Sequence, residues 1–407
     1  MTWRALPDDC KAAEVWIEFV EDDVTKYFLL EGAVRSTKTY GSILAWCDYI
    51  GNKCPEGPVA MIGQTRDTLI RNVIVPMQDL LSPDAIQLSR GTSILMLFGR
   101  PIHLLGAPNM LAMKKIQGAG FVAVYCDEAE TYPRDVWQML GTRTDAQGMK
   151  IIATFNPGPP THFLKKEYLD RLDKVNGRAW HFTLDDNPFL SEKVKNELIG
   201  QYSGLFYQRY ILGKWVAAEG AIYDMFSEDR HVVHGALPSF SEIIVGVDYG
   251  TANPSAFVML GRARDGPLAG KWIVAKEFYY SGRDDRQKTD GELSQDMKSF
   301  LGGLFPTAIM VDPSAASFKI QLKRDGFTHV RDADNRVVDG IRDVAHALAT
   351  GQLYIHESCE HLLEEFPGYC WDPKAQEHGE DRPLKQNDHA LDALRYAARR
   401  VFGKRFT

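Results

Sequence analysis

The chain has 407 residues, which is enough for two or three domains of ordinary size. Its composition, 44% hydrophobic and 25% charged, is that of a globular protein, and its formal net charge of −7 excludes a uniformly basic nucleic-acid-binding body. The six cysteines form no CxxC pair or zinc-type spacing, and no apolar run approaches the roughly 20 residues of a membrane-spanning helix. We therefore expect a soluble intracellular protein with reduced thiols.

The first half of the chain alternates between predicted strands and helices. Apolar strands are predicted at 27–31, 59–62, 121–126 and 151–155, helices at 11–23, 38–51 and 67–80, and a hairpin at 93–97 and 102–105. Strands that alternate with helices in this way predict an open, largely parallel α/β sheet.

The second half begins with a different pattern. Three closely spaced strands, at 243–247, 256–260 and 271–280, predict an antiparallel meander, which a helix at 292–300 and a strand at 307–311 follow. Further helices are predicted at 315–325, 339–349, 359–366 and 388–402. This order of elements is that of a ribonuclease-H-like domain.

The residues between the two patterns are rich in aromatic side chains and turns, which favours a small helical linker subdomain. We therefore predict three parts: an α/β domain over 1–185, the linker subdomain over 186–240 and a second α/β domain over 241–407.

A strand-to-helix turn in the first domain matches a phosphate-binding loop. The segment Gly32–Thr39 fits G-x-x-x-x-G-K-[ST] except at Thr37, where the pattern has glycine. Backbone N–H groups and the helix N-terminus would hold the phosphates of ATP, while Lys38 would reach the β- and γ-phosphates and Thr39 would bind Mg²⁺. A β-branched residue fits poorly where φ must be positive, so we expect Thr37→Gly to raise nucleotide affinity if Thr37 strains the loop. The candidate nucleotide-binding residues here are Gly32, Ala33, Val34, Arg35, Ser36, Thr37, Lys38 and Thr39.

The predicted strand 121–126 ends in two acidic residues, Asp127 and Glu128. Ligands bind at the carboxyl ends of strands in open α/β sheets, so this pair indicates a Walker B motif. Asp127 would hold Mg²⁺, and Glu128 would deprotonate the attacking water as a general base. An acidic helix start is the alternative, because Asp-Glu-Ala-Glu also favours a helix N-terminus. The phosphate loop upstream favours the ATPase interpretation.

Two further pairs of residues are weaker candidates. Thr154 and Asn156 follow a buried strand and are candidates to sense the γ-phosphate, although an ordinary strand-end turn explains them equally well. Arg35 and Arg143 are candidate arginine fingers, which would stabilise the charge of the transition state. For each arginine, a surface ion pair is the alternative.

Three aspartates of the second domain occupy matching positions in their elements. Asp248 and Asp312 each end a predicted strand, and Asp392 lies in the last helix. Turns also favour aspartate, but in a ribonuclease-H-like fold such carboxylates converge and bind two divalent ions that hold the attacking and leaving oxygens of a phosphodiester. His389 shares a helix face with Asp392 and is a candidate metal ligand or proton shuttle. Asp388 is a candidate N-cap of the same helix.

The stretch 395–405 contains basic residues and no acidic one, which makes it a candidate DNA-binding patch. The alternative is a solvated helix end, where basic residues are favoured by the helix dipole. These residues are Arg395, Arg399, Arg400, Lys404 and Arg405.

In this order, the motifs resemble the large terminase subunit of tailed bacteriophages over about residues 27–400. The resemblance rests on the phosphate loop, Asp127–Glu128, Thr-Phe-Asn-Pro at 154–157, Gly-Lys-Trp-Val-Ala-Ala-Glu-Gly-Ala-Ile-Tyr at 213–223, Asp-Tyr-Gly at 248–250, Val-Asp-Pro at 311–313 and Asp-His-Ala-Leu-Asp-Ala at 388–393.

The resemblance implies an N-terminal RecA-like P-loop ATPase, which uses ATP and Mg²⁺ to drive double-stranded DNA into a capsid. It also implies a C-terminal ribonuclease-H-like endonuclease, which uses two Mg²⁺ or Mn²⁺ ions to cut concatemeric DNA. The implied ATPase residues are Lys38, Thr39, Asp127 and Glu128, with Thr154–Pro157 as a coupling motif. The implied metal ligands are Asp248, Asp312 and Asp392, with His389 as an accessory residue.

The resemblance also implies partners and a location. Large terminases work in the host cytoplasm as rings on the portal protein of the procapsid, usually with a small terminase subunit that recognises DNA, and without a membrane. We expect a monomer in solution. Two alternatives stay open: a helicase-like DNA-dependent ATPase with a degenerate nuclease domain, and a capsid-assembly scaffold that does not hydrolyse ATP, for which Thr37 is the only support.

Overall fold

The computed structural model describes residues 6–7, 9–89, 91–107, 120–143, 149–202, 204–250, 253–281 and 286–403. The chain forms two compact units. Unit 1 comprises Met1–Leu198 with Tyr207–Ala217, and unit 2 comprises Ile199–Phe206 with Ala218–Thr407. The stretch 186–240 is thus divided between the two units, and its assignment as a separate linker subdomain, with boundaries at 185 and 240, stays a prediction.

Among the described residues of unit 1, eight strands form one sheet: β1 (Tyr27–Gly32), β2 (Val59–Gly63), β3 (Ile86–Ser89), β4 (Ile94–Leu97), β5 (Arg100–Gly106), β6 (Ala123–Cys126), β7 (Lys150–Phe155) and β8 (Gly177–Phe182). Their order is β3-β4-β5-β2-β6-β7-β1-β8. Six neighbouring strands run parallel to one another: β5, β2, β6, β7, β1 and β8. On the other side of β5, β4 and then β3 extend the sheet in antiparallel pairing. The predicted, largely parallel α/β sheet and the predicted hairpin are confirmed.

Helices cover both faces of this sheet. Every residue of β1 is buried, and its side chains alternate between two hydrophobic clusters. Phe28 and Leu30 pack in the cluster that contains Trp46, whereas Leu29 packs in the cluster that contains Trp137. The helices are α1 (Lys11–Glu21), α2 (Lys38–Asn52), α3 (Arg66–Leu69, the π-helical turn Ile70–Ile74 and Val75–Leu80), α4 (Arg134–Arg143) and α5 (Glu192–Ile199), with shorter segments at Ala129–Thr131, Leu164–Tyr168, Leu169–Arg171, Leu172–Val175 and Leu184–Asp186.

In the part of unit 2 that the structure describes, seven strands form one sheet: β9 (Val232–Val233), β10 (Phe240–Asp248), β11 (Ser255–Ala263), β12 (Trp272–Tyr280), β13 (Ala308–Val311), β14 (Val330–Asp332) and β15 (Leu353–His356). Their order is β14-β13-β10-β11-β12-β15-β9. The antiparallel meander of β10, β11 and β12 and the parallel pairing of β13 with β10 agree with the predicted ribonuclease-H-like order. The short strands β9, β14 and β15, of two to four residues each, were not predicted.

The last helix of unit 2 packs directly on β10 and β11 of its sheet. A Cβ added at Gly246 of β10 would lie 1.9 Å from the backbone oxygen of Ala393, so this close approach requires glycine. The helices are α6 (Asp290–Leu301), α7 (Ala316–Arg324), α8 (Val337–Ala349), α9 (Glu360–Gly368) and α10 (His389–Phe402), with shorter segments at Gly204–Phe206, Glu228–His231 and Pro373–Glu377. Within the described ranges of both units, no helix has the length and apolar character needed to cross a membrane.

Candidate functional sites

The predicted phosphate loop runs from β1 into α2. Gly32 has a φ of +131°, and a Cβ there would lie 2.0 Å from the backbone oxygen of Phe182 in β8, so this position requires glycine. The Ala33 N–H donates to the same oxygen at 2.7 Å, and the Val34 N–H donates to the backbone oxygen of Tyr210 at 2.9 Å. Protein contacts on two sides therefore hold the loop in its conformation.

Lys38 is buried at the start of α2. Its Nζ donates to the Ala33 carbonyl oxygen and to Asn156 Oδ1, each at 2.8 Å. Burial lowers the pKa of Lys38 to about 8, although the Glu130 carboxylate opposes this shift. The ammonium group thus has polar partners both in the loop and after β7, and phosphate oxygens placed in the loop would compete with them.

Asp127 and Thr154 meet where two parallel strands end. Asp127 follows β6, Thr154 lies near the end of β7, and the two strands are paired. The Thr154 hydroxyl donates to Asp127 Oδ1 at 2.8 Å. Burial raises the pKa of Asp127, while the hydrogen bond from Thr154 and the charge of Lys38 act in the opposite direction. The Walker B candidate is thus a buried carboxylate beside the loop lysine.

Asn156 connects the phosphate loop to the acidic segment. Its Oδ1 accepts from Lys38 Nζ, and its Nδ2 donates to Glu130 Oε1 at 3.1 Å. Burial raises the pKa of Glu130 to about 8, and the charge of Glu128 adds to this shift. A movement of Lys38 toward a phosphate would break this bridge, which is the geometry that a γ-phosphate sensor needs.

Asn72, which no motif in the sequence indicates, faces both acidic residues. Its Nδ2 lies 3.5 Å from Asp127 Oδ2 and 3.4 Å from Glu128 Oε1. Asn72 belongs to the π-helical turn of α3, a feature that is frequent at functional sites and has no sequence signature. Glu128 itself has a φ of +54°, a sparsely populated conformation that is typical of active sites.

A cavity of about 800 Å³ opens beside the loop. Its polar wall is the loop from Arg35 to Thr39, and its other wall is mainly apolar, with Asp79 and Asn187 as its polar members. Tyr40 and Phe189 pack edge to face there, with ring centroids 6.0 Å apart. A polar wall for phosphates next to an apolar wall for a base fits a nucleotide. The apolar residues of this wall are Tyr40, Pro76, Leu80, Phe189 and Leu190. They come from α2, α3 and the segment after β8, so the sequence alone did not show that they form one surface.

Thr37 lies at the left-handed position that glycine occupies in the sequence pattern. It precedes α2 and has a φ of +70°. Its hydroxyl is within hydrogen-bonding distance of the backbone oxygens of Ser36 and Asp186. These contacts oppose a conformational cost of about 1–2 kcal/mol for a non-glycine residue.

We expect Thr37→Gly to bind ATP about tenfold more tightly than Thr37→Ala. Both variants lose the hydroxyl, but alanine leaves the left-handed conformation, and ATP binding must then restore it at a cost of about 1–2 kcal/mol. Fluorescence anisotropy with a labelled ATP analogue measures both affinities. Equal affinities in the two variants would show that the backbone at position 37 does not limit nucleotide binding.

The two candidate arginine fingers are Arg35, in the phosphate loop, and Arg143, in α4. Arg35 is exposed, has a φ of +52° and lines the nucleotide-sized cavity. Its guanidinium group makes no ion pair with another described residue, so the surface ion pair proposed as an alternative is not found. Arg143 is the last residue of α4, and its side chain lies outside the described residues.

The three candidate metal-binding aspartates line one cavity of about 870 Å³ in unit 2. Asp248 ends β10 and Asp312 follows β13, which is the parallel neighbour of β10. Asp392 lies one turn into α10, which packs on β10. Burial raises the pKa of Asp248, and the charges of Asp392 and Asp312 add to this shift. The structure thus brings together carboxylates that are far apart in the sequence.

His389, the first residue of α10, is bonded to one of these aspartates. Its Nδ1 lies 2.8 Å from Asp248 Oδ2. Burial alone would lower the pKa of His389, but the hydrogen bond and the charge of Asp248 raise it above its ordinary value. His389 therefore orients Asp248 and is placed to hold a proton beside it.

The other two aspartates are also held by neighbours. The Tyr396 hydroxyl donates to Asp312 Oδ2 at 3.0 Å, and Asp392 lies 2.7 Å from Lys385 Nζ and 3.2 Å from Arg395 Nε. No ready-made cluster of three metal ligands occurs among the described residues. The donor set nevertheless fits Mg²⁺ or Mn²⁺, which prefer carboxylate oxygens. Lys385 is half-exposed on a loop, so it is the side chain that a metal ion would displace.

Two basic residues of α10, Arg395 and Arg399, do not belong to the predicted DNA-binding patch, whereas Arg400 is partly exposed. Arg395 and Arg399 are only 1% and 7% exposed. Arg399 Nη1 donates to Asp343 of α8 at 2.6 Å. The prediction is wrong for these two residues because their side of the helix packs against α8 and not against solvent. Lys404 and Arg405 lie outside the described residues.

Contrary to the expectation from the sequence, the side chain of Asp388 does not cap α10. It is the N-cap residue, but its side chain makes no capping hydrogen bond with the described residues of the helix. Glu365 of α9 supplies the acceptors instead, for the N–H groups of Ala390 and Leu391. Burial raises the pKa of Glu365 to about 8, and these two N–H groups oppose the shift.

Unit 1 and unit 2 together define a class of protein: a P-loop ATPase joined in one chain to a ribonuclease-H-like nuclease. Two family models make this assignment specific. The model described as "Terminase large subunit, T4likevirus-type, N-terminal" matches residues 30–230, and the model described as "Terminase RNaseH-like domain" matches residues 260–400.

Solved structures agree with the family models. The chain is 35% identical to the large terminase from a thermophilic bacteriophage, with a TM-score of 0.89 over 96% of this chain and 98% of that chain. The same phage protein in complex with ATP-gamma-S has a TM-score of 0.88, at the same identity and coverage. The chain therefore belongs to the large terminase family and carries its ATPase and nuclease domains.

A curated relative is more distant. The large terminase subunit of Salmonella phage P22 is 23% identical over 294 residues, which cover 69% of this chain. The chain spans about half of that relative, since the match covers 55% of its length.

Proposed function

We propose that this chain is the catalytic subunit of a viral DNA-packaging motor. ATP hydrolysis in unit 1 drives double-stranded DNA into a procapsid, and a metal-dependent endonuclease in unit 2 cuts concatemeric DNA. The observation that carries this proposal is the presence of two separate sites in one chain. Lys38 and Asp127 converge beside a nucleotide-sized cavity, and Asp248, Asp312 and Asp392 surround a second cavity.

The phosphate loop and the acidic end of β6 support the following ATPase roles. Lys38 binds the phosphates, Thr39 and Asp127 hold Mg²⁺, and Glu128 is the general base for the attacking water. Thr154 and Asn156 sense the γ-phosphate, because they bond Asp127 and Lys38. The large terminase of the thermophilic phage has been solved with ATP-gamma-S and with ADP, which supports nucleotide binding here. The candidates for the arginine finger are Arg35 and Arg143.

The nuclease site uses divalent metal ions. Asp248, Asp312 and Asp392 would hold two Mg²⁺ or Mn²⁺ ions, which would supply a Lewis acid for the leaving oxygen and a nucleophilic water. His389 orients Asp248 through Nδ1 and moves a proton at its other ring nitrogen, Nε2. Lys385, released from Asp392, pairs with a DNA phosphate.

The packaging role implies several partners. They are double-stranded DNA, the portal protein of the procapsid, a small terminase subunit and further copies of this chain in a ring, all in the host cytoplasm. The net charge of −7 is compatible with this role. A motor that moves along any sequence needs only a few phosphate contacts, which carry no sequence information.

Phosphate release by the full-length protein, with and without double-stranded DNA, tests the ATPase role. We expect Lys38→Ala to lower ATP turnover about 100- to 1000-fold, the scale of one lost electrostatic contact to a transition state. Lys53→Ala, at the exposed end of α2, is the matched control and should turn over ATP like the wild type.

Each outcome of this experiment is informative. Equal rates in the wild type and in Lys38→Ala would contradict the ATPase role, and a complete lack of ATP turnover in the wild type would favour an assembly scaffold. DNA-stimulated turnover without DNA cleavage in Mn²⁺ would favour a helicase-like ATPase with a degenerate nuclease domain.

A further inference from the structure

The first turn of α10 carries two residues of the nuclease site, His389 and Asp392. The first N–H groups of an α-helix have no acceptor within the helix, and the N-cap side chain usually supplies one. The carboxylate of the N-cap residue here, Asp388, instead lines the cavity and lies 2.9 Å from Lys385 Nζ. Another residue must therefore hold the start of this helix.

Glu365, which belongs to α9, holds the start of α10. Its Oε1 accepts the Ala390 N–H at 3.1 Å, and its Oε2 accepts the Leu391 N–H at 2.8 Å. The residue is 6% exposed, so water competes little for these bonds. A carboxylate is also the favoured group at the positive end of a helix dipole.

The helix that carries Glu365 is anchored in the same way. Glu277 of β12 accepts the N–H of His361 at 2.8 Å and the N–H of Leu362 at 2.9 Å, at the start of α9. The His361 ring also stacks on Tyr279 of β12, with centroids 4.3 Å apart. Two carboxylates thus connect the sheet to α9 and α9 to α10.

His389 and Asp392 flank the two N–H groups that Glu365 holds. A change in the first turn of α10 would separate His389 from Asp248 and move Asp392 relative to the strands. Metal centres tolerate ligand displacements of only about 0.5 Å. We propose that Glu365 is a positioning residue of the nuclease centre, which fixes His389 and Asp392 by holding the first turn of α10. This inference rests on the proposed nuclease function.

The test compares full-length wild type, Glu365→Ala, Glu365→Gln and Glu364→Ala. Glu364 is the exposed neighbour on α9 and provides the matched control. Four quantities are measured: hydrogen exchange of the peptide 388–396, Mn²⁺ affinity by calorimetry, plasmid cleavage and ATP hydrolysis.

We expect Glu365→Ala to exchange the first-turn amides of α10 faster and to weaken Mn²⁺ binding about tenfold or more, the scale of a lost outer-shell contact. ATP hydrolysis should be unchanged. Glu365→Gln keeps one acceptor oxygen and should be intermediate in both Mn²⁺ affinity and cleavage. Glu364→Ala should equal the wild type in all four measurements.

Faster exchange in α10 with unchanged Mn²⁺ affinity and cleavage would overturn the inference, because Glu365 would then only stabilise the helix. If Glu365→Ala does not fold, a Glu365→Gln variant with wild-type Mn²⁺ affinity and cleavage would overturn it equally. A wild type that binds Mn²⁺ but cuts no DNA would end the nuclease proposal. The Mn²⁺ affinities of the variants would still decide the role of Glu365.

Discussion

Asp248→Asn is expected to abolish DNA cleavage, with a loss of at least about 1000-fold, while ATP hydrolysis stays close to wild type. Asparagine keeps the shape of the side chain but removes the negative charge that balances a divalent ion, and a metal ion contributes several kcal/mol to such a reaction. The substitution also removes the charged partner of His389. Nicking of supercoiled plasmid in Mn²⁺ and phosphate release, measured on the same preparation, give both activities.

The control for this experiment is Asp229→Asn, an exposed aspartate in the same unit. It should cut DNA at the wild-type rate. Retained cleavage in Asp248→Asn would exclude this aspartate as a metal ligand. Loss of both activities in a folded Asp248→Asn protein would show that the ATPase and nuclease sites do not act separately.

Glu128→Gln is expected to lower ATP turnover at least about 100-fold while nucleotide binding is retained, the scale of a lost general base. The amide cannot take a proton from the attacking water, but its size and its contact with Asn72 are kept. Steady-state phosphate release measures turnover, and anisotropy with a labelled ATP analogue measures binding. Glu56→Gln, an exposed residue between α2 and β2, is the matched control.

Near-normal turnover in Glu128→Gln would assign the base to another residue. Glu130 would be the next candidate, because it lies in the same segment and bonds Asn156. Weak nucleotide binding in Glu128→Gln would instead show that Glu128 shapes the binding site.

The phosphate loop illustrates what local sequence can predict. A buried apolar strand, a turn and a helix are consecutive in the chain, so the position of Lys38 follows from local structure alone. The same holds for Asp127, Asp248 and Asp312, each at the end of an apolar strand, since parallel strands bring their carboxyl ends to one edge of a sheet.

Strand β8 illustrates what local sequence misses. Among the described strands it lies at the edge of the sheet and pairs with β1 alone, and its residues are partly exposed, so no continuous apolar run marks it. Yet its Phe182 oxygen accepts the N–H of Ala33 and makes glycine necessary at Gly32. The shape of the phosphate loop thus depends on a strand that the sequence did not predict.

By itself, the sequence determined the two α/β units, the phosphate loop and the acidic strand ends, because hydrophobic periodicity and turn residues act between near neighbours. Only the tertiary structure decided which distant side chains meet. It placed Asn72 against Asp127 and Glu128, and Glu365 at the start of α10. It also buried Arg399 of the predicted basic patch. Burial and long-range hydrogen bonds depend on how elements pack, and packing leaves no local pattern in the chain.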